Sequence, residues 1–257
     1  MLIIFPIIIS MKIAILIPST SNGRDWSSFK ETYLYEKSLK TLLLTYNNEH
    51  NYRFYIGIDK GDRIYDSESV KTQLHRFASI MKNIEIDFVY MTGISKGHLT
   101  VMWNRLFQKA YDEGFDYFFQ CGDDIEFKTA GWANACIDAL SKSNGIGVAG
   151  PINNNVRILT QSFVSRKHME LFGYYFPPEI INWCCDDWIN DVYKSIGKFY
   201  PLQNHLCINV GGPPRYDINN DPTMALNFNH KLNKLREDCT KIVKRDVARI
   251  MTNINKN

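Results

Sequence analysis

Between residues 12 and 120, short apolar runs alternate with helical stretches three times in a row, and that order leaves few folds open. The run 12–20, KIAILIPST, is apolar and rich in isoleucine, and Pro18 stops it, so it reads as a buried strand. Residues 29–46 follow with Leu34, Leu39, Leu42 and Leu43 at helical spacing. A second strand over 52–58 precedes a helix over 67–81, whose Val70, Leu74, Phe77 and Ile80 form one stripe. A third strand over 84–90 precedes a helix over 96–111, and 117–120 opens a fourth strand. Strand and helix in strict alternation predict a parallel α/β sheet with right-handed crossovers.

The second half is less regular. Helices are expected over 131–141, 167–172 and 188–196, and strands over 146–150 and 159–165. From residue 227 onward, Leu232, Leu235, Ile242, Val243, Val247 and Ile250 mark a polar helix. No internal repeat and no Gly- or Pro-rich linker divides the chain. The expected organisation is an α/β domain over 11–225 and a C-terminal helical extension over 226–257. The first ten residues, MLIIFPIIIS, are apolar but far short of the about 20 needed to span a bilayer. They read as an extra strand or a segment upstream of a second start at Met11, with a membrane anchor as the sharper alternative.

Composition narrows the classes. With 257 residues, 45% hydrophobic and 22% charged, the chain has material for a full core, which excludes a disordered chain and a disulfide-stapled scaffold. A net charge of +3 provides no field that would make nucleic acid the main partner. The cysteines, 121, 136, 184, 185, 207 and 239, contain no C-x-x-C pair, which points to reduced thiols in a cytoplasmic compartment rather than to zinc or disulfides.

In an open α/β sheet, ligands gather at the carboxyl ends of the strands. Residues just past the predicted strands are Ser19, Thr20, Ser21 and Asn22, then Asp59 and Asp62, then Lys96 and Gly97, then Gly122, Asp123, Asp124 and Glu126. The segment 116–127, DYFFQCGDDIEF, drives an apolar strand straight into two adjacent carboxylates. Mg²⁺ typically takes one or two carboxylates together with substrate phosphates, and a strand-end acidic pair supplies them. A second pair, Asp186-Asp187 in WCCDDWIND, stands at the start of a helix, where it reads either as a general base or as a helix cap.

The order of these features resembles the GT-A glycosyltransferases, which use nucleotide-diphosphate sugars and a DxD-type metal motif. PST with Pro18 and Thr20 resembles the nucleoside-binding loop, and Asp59 stands where the family places a carboxylate on base or ribose. KGHLTVMWNRLFQKA, with Lys96, Gly97 and Asn104, resembles the family helix with Gly and Asn at fixed spacing. QCGDDIEF resembles the DxD strand, with Gly122 in place of a first acidic residue, and the later acidic pair resembles the family's base position. The wording is closest to enzymes of large DNA viruses.

The resemblance implies a metal-dependent transfer from a UDP- or GDP-sugar to a hydroxyl of a glycan or glycoprotein. Donor contacts would fall to Pro18, Thr20, Asp59, Lys96, Gly97, Asn104 and Asp123. Asp124, Asp123 and His205 would hold Mn²⁺ or Mg²⁺. Asp187, or Asp186 beside it, would take the acceptor proton in an inverting displacement. Trp183, Trp188 and Tyr216 are candidates to stack on an acceptor sugar. A sugar nucleotidyltransferase is the rival enzyme, though PSTSNGRDW lacks the Gly-rich basic loop that class carries. A catalytically inactive nucleotide- or carbohydrate-binding module is the rival from another class, motivated by Gly122.

Overall fold

The computed structural model describes residues 10–211, 217–221 and 223–254. The expectations for residues 1–9 and for Tyr216 lie outside them. Eight strands form one sheet in the order β3-β2-β1-β4-β7-β6-β8-β5. They are β1 (Lys12–Pro18), β2 (Asn51–Ile58), β3 (Ile84–Tyr90), β4 (Tyr117–Gln120), β5 (Ile125–Phe127), β6 (Val148–Ile152), β7 (Ser162–Ser165) and β8 (Phe199–Asn209). The first four run parallel, as the alternation predicts. Beyond β4 the sheet is mixed: β7 is antiparallel to β4 and β6, β8 is parallel to β6, and β5 is antiparallel to β8.

Helices cover both faces: α1 (Lys40–Thr45), α2 (Glu68–Ala78), α3 (Leu99–Asp112), α4 (Trp132–Ser141), α5 (Arg166–Phe172), α6 (Cys185–Ser195) and α7 (Met224–Ile254). β1 can be wholly apolar because both its faces are covered; Ile13, Ala14, Ile15, Leu16 and Ile17 are all fully buried. Ile13, Ile15 and Ile17 face the core under α1, α2 and α4, whereas Ala14 and Leu16 face the core under α3, α5, α6 and α7.

Two elements differ from expectation in ways that matter for the site. The helix expected over 29–46 is a short 3-10 turn, then a π-helical turn (Leu34–Leu39), then α1. The wide turn aims the Ser38 hydroxyl at the carbonyl of Asp123, 2.9 Å away, and Lys37 Nζ at Glu126, 3.0 Å away. It therefore braces the acidic turn from behind. Strands β5 and β8 carry no expectation, because β5 is three residues long and Pro201 interrupts the strand signal in β8. The C-terminal helix docks on α6 through Asp246, buried on α7, which accepts Trp188 Nε1 at 3.0 Å. Among the described residues no helix is long and apolar enough to cross a membrane.

Candidate functional site

Strands β1, β2 and β4 end side by side, and their end loops are tied together by carboxylates. Thr20 Oγ1 donates to Asp59 Oδ2 at 3.1 Å and to Asp62 Oδ2 at 3.0 Å. Asn22 Nδ2 also reaches Asp59, at 3.2 Å. Pro18 closes β1, and Ser19 N continues the ladder to Gly57 O at 2.8 Å. The structure thus brings Pro18, Thr20 and Asp59 together at one edge.

Asp62, to which sequence reasoning assigned no role, organises this edge. It is 3% exposed and accepts from Ser21 N (2.7 Å), Ser21 Oγ (2.6 Å), Ile64 N (3.0 Å) and Tyr65 N (2.9 Å). Burial alone would push its carboxyl up. The Ser21 hydroxyl and the backbone N–H groups of Tyr65, Ser21 and Ile64 outweigh that and hold it below the ordinary carboxylate value. The only signal in the sequence was its place three residues after Asp59.

The two carboxylates of the GDD turn point different ways. Asp123 is buried and accepts the Ser19 hydroxyl at 2.6 Å, so it fastens the ends of β1 and β4 to each other. Asp124 lies against two glycines. A Cβ on Gly122 would stand 2.6 Å from Asp124 Oδ1, and one on Gly211 would stand 1.7 Å from Oδ2. A side chain at either position would displace the carboxylate. Gly122 is thus part of what gives Asp124 its room.

Three sequence-based assignments need correction. His205 is not beside the acidic turn. The β5–β8 pairing puts Val210 N on Asp124 O at 2.9 Å, and His205 lies five residues back along the chain, roughly 16 Å at about 3.3 Å per residue. Its ring faces the Gly131 turn instead. Asn104 spends its amide on backbone: Nδ2 donates to Phe176 O at 2.8 Å, and Oδ1 accepts Tyr175 N and Phe176 N at 2.9 Å each. It clamps the turn after α5, with its oxygen doubly engaged and one hydrogen of Nδ2 left over. Trp188 is fully buried and cannot stack on a sugar, while Trp183 is half-buried against Phe228. Glu126 is paired with Lys37 and Lys128. Lys96 is exposed, and Gly97 has a left-handed backbone, φ +80°, in the loop after β3.

Among the described residues no three His, Cys, Asp or Glu side chains come together as a metal cage. What remains at the turn, Asp124 in its glycine cradle with Asp123 beside it, fits a hard cation that takes one or two carboxylates and completes its shell with phosphate and water.

The Asp186-Asp187 pair occupies the first turn of α6. Neither residue caps it; the cap is Cys184, in the left-handed region at φ 69° with no side-chain cap bond. Asp186 is half-buried, and desolvation, with the neighbouring charge of Asp187 adding to it, pushes its carboxyl up to about 7. Asp187 pairs with Arg157 across 3.3 Å. Two links tie this pair to the acidic turn. Buried Tyr175 donates to Ser162 O at 2.7 Å, Ser162 Oγ reaches Gln120 at the end of β4, and Asp186 lies within the electrostatic reach of the Tyr175 hydroxyl. The loop between β6 and β7 touches both ends, with Asn154 Nδ2 on Asn209 O at 2.8 Å and Arg157 on Asp187.

Comparison with solved structures agrees with the α/β GT-A-like fold. The chain is similar to S. aureus TarS, with a TM-score of 0.52 and 12% identity over 79% of this chain and 37% of that one. It is similar to S. aureus TarS 1-349 in complex with UDP-GlcNAc at a TM-score of 0.52 and 11% identity, over 79% of this chain and 60% of that one. The chain thus spans less than two thirds of the length of these structures. No protein-family model and no curated protein matches it.

Proposed function

We propose that the chain is a glycosyltransferase that moves a sugar from a nucleotide-diphosphate donor to an acceptor hydroxyl of a glycan or glycoprotein. The observation that carries this reading is the convergence of three carboxylate groups on one sheet edge: Asp59 with Thr20, Asp123 with Asp124, and Asp186 with Asp187. They lie in a fold similar to one described in complex with UDP-GlcNAc. That complex favours UDP over GDP as the nucleotide. The likeness to enzymes of large DNA viruses rests on the sequence motifs alone.

Thr20 and Asp59 offer a hydroxyl and a carboxylate to the nucleoside at the end of β1 and β2. Asp124, with Asp123 behind it, would hold Mn²⁺ or Mg²⁺, whose chemistry is to neutralise charge developing on the leaving diphosphate. Asp187 stands at the start of α6 with part of its side chain exposed to an incoming acceptor, and the proton of the attacking hydroxyl passes to its carboxylate. Asp186, held near neutrality, is the alternative base. Gly122 supports an active turn over an inactive binding module, since it leaves room for Asp124.

Two variants test the reading. Asp124→Asn should abolish Mn²⁺-dependent binding of UDP-sugars while the protein stays folded. Asp187→Asn should keep donor binding and cut transfer by about 10²–10⁴-fold, the usual worth of a general base. Donor binding that survives Asp124→Asn unchanged overturns the assignment of the donor site.

A further inference from the structure

Asn182 is an uncharged side chain that sequence reasoning passed over, yet it joins more segments around the site than any residue assigned to it above. It is 2% exposed and lies two residues before the cap of α6. Its Nδ2 donates to Gly97 O at 3.1 Å, to Asp217 O at 3.2 Å and to Asn220 Oδ1 at 3.4 Å. Its Oδ1 accepts Trp183 N at 2.6 Å and Asn219 N at 3.0 Å. One carboxamide therefore touches the loop after β3, the turn over 217–220 and the approach to the Asp186-Asp187 pair.

One segment it holds has a backbone that needs outside support: Asn219 and Asn220 follow each other in the left-handed region at φ 50° and 57°. Such conformations persist where the surroundings over-determine them. A carboxamide is well suited to this role, because Asn presents donors on one side and an acceptor on the other. It can therefore join a carbonyl-rich wall to two backbone N–H groups without burying a charge. The stretch just before Asn182 has separate support, because Thr100 at the start of α3 holds Ile181 O through both its N (3.1 Å) and its Oγ1 (3.0 Å). The loop after β3 leads directly into that same helix.

We propose that Asn182 is a positioning residue, whose carboxamide locks the loop after β3, the 217–220 turn and the start of α6 into one unit, so that a single side chain sets the donor-side loop against the Asp186-Asp187 pair. This rests on the function proposed above only for its consequence on rate; the locking itself stands on the hydrogen bonds. A displacement of the base by as little as 1 Å can cost about 100-fold in rate with donor affinity barely changed.

The sharp variant is Asn182→Asp. It keeps the shape and the acceptor that holds Trp183 N and Asn219 N, but turns an oxygen toward Gly97 O and Asp217 O. Asn182→Ala is the second variant, with no charge to bury, should the first fail to fold. Hydrogen exchange followed by mass spectrometry should show faster exchange at both 95–98 and 217–221 in the folded variant, with β1 and β2 unchanged. Turnover of UDP-GlcNAc with Mn²⁺, hydrolysis included, should lose about 100-fold in kcat with KM within about threefold, a split that general loosening would not produce. Unchanged exchange at either segment overturns the locking. Faster exchange at both with unchanged kcat overturns the positioning. If the parent protein turns over no UDP-sugar, the proposed function fails and the positioning role with it, while the exchange arm still decides the locking.

Discussion

The two halves of the sheet are fastened by different chemistry at the edge where the site lies. On the parallel side, the ends of β1, β2 and β4 are joined by carboxylates that accept from hydroxyls and backbone N–H groups: Asp59, Asp62 and Asp123. On the mixed side, carboxamides do the joining. Asn154 meets Asn209, Asn182 holds three segments, and Asn190, fully buried on α6, clasps Leu159 through its N (2.9 Å) and its O (2.8 Å). Anionic acceptors make stronger bonds than neutral amides but depend on pH. Amides do not titrate and can donate and accept at once, which suits irregular loops with unpaired groups of both kinds. The side proposed above to take the nucleotide is thus held by charge-dependent bonds, and the side proposed for the acceptor is a set of loops held by neutral clasps.

The largest effect that would sharpen this contrast is expected at Asp62. Asp62→Ala removes the acceptor for two hydroxyls and three buried backbone N–H groups at once. Each buried group left unpaired costs about 1–3 kcal/mol, so a loss of at least about 3 kcal/mol is expected in urea unfolding, with weakened UDP binding. Asp62→Asn should lose less, because one oxygen remains. If Asp62→Ala unfolds at the same denaturant concentration as the parent, the carboxylates do not organise that half.

The same contrast explains how much was legible in the sequence. Parallel strands buried on both faces announce themselves as runs such as KIAILIP, and Pro18, Thr20, Asp59, Asp123 and Asp124 could be placed because they follow such runs. What a side chain does once there was not legible. Asn104 has the right type and spacing for a ligand contact, yet its amide is turned chiefly to the backbone of Tyr175 and Phe176. His205 resembles the C-terminal third metal ligand of GT-A enzymes, but its place on β8 carries it away from the acidic turn. The mixed half was harder to read, since β5 and β8 are defined by pairing between distant segments and Asn182 gains its role only when three loops meet. A polar residue in an irregular stretch has no periodicity to reveal which face it takes.

A second test concerns the charge that breaks the pattern on the amide side. Asp186 binds its proton up to about pH 7 in the folded chain, against about 3.9 when unfolded. The folded form therefore binds more protons across that window. Its favourable contribution is full below about pH 3.9 and is lost as pH rises through about 7. Asp186→Asn removes this dependence. The variant should melt above the parent at pH 8, on the order of 5 °C higher. The gap should widen between pH 4 and 7 and then level. Asp187→Asn should show a smaller widening of the same sign, because the Asp187 charge supplies only the lesser part of the push on Asp186. A gap that is constant with pH would mean that Asp186 is ionised throughout and that the mixed side carries a charge like the other.

The smallest effect tests whether the halves are separable at all. Asn154 is exposed and makes two bonds to Asn209, which pairs with Ile125 in the strand just past Asp124. It is therefore the clasp nearest the boundary between carboxylate and carboxamide chemistry. An exposed neutral pair contributes little, so Asn154→Ala should cost about 1 kcal/mol or less, about 2–4 °C in melting temperature. The loop it releases also carries Arg157, which reaches Asp187, whereas Thr20, Asp59 and Asp62 lie beyond β4 and share no bond with it. UDP affinity should accordingly stay within about twofold of the parent, while transfer to acceptor falls several-fold. Effects at sites without shared partners add independently, so the double variant Asn154→Ala with Asp59→Ala should lose donor affinity to the same extent as Asp59→Ala alone. A double variant that loses clearly more would show that the loop between β6 and β7 supports the nucleotide pocket, and the division into a charge-held donor side and a clasped acceptor side would have to be redrawn at β8.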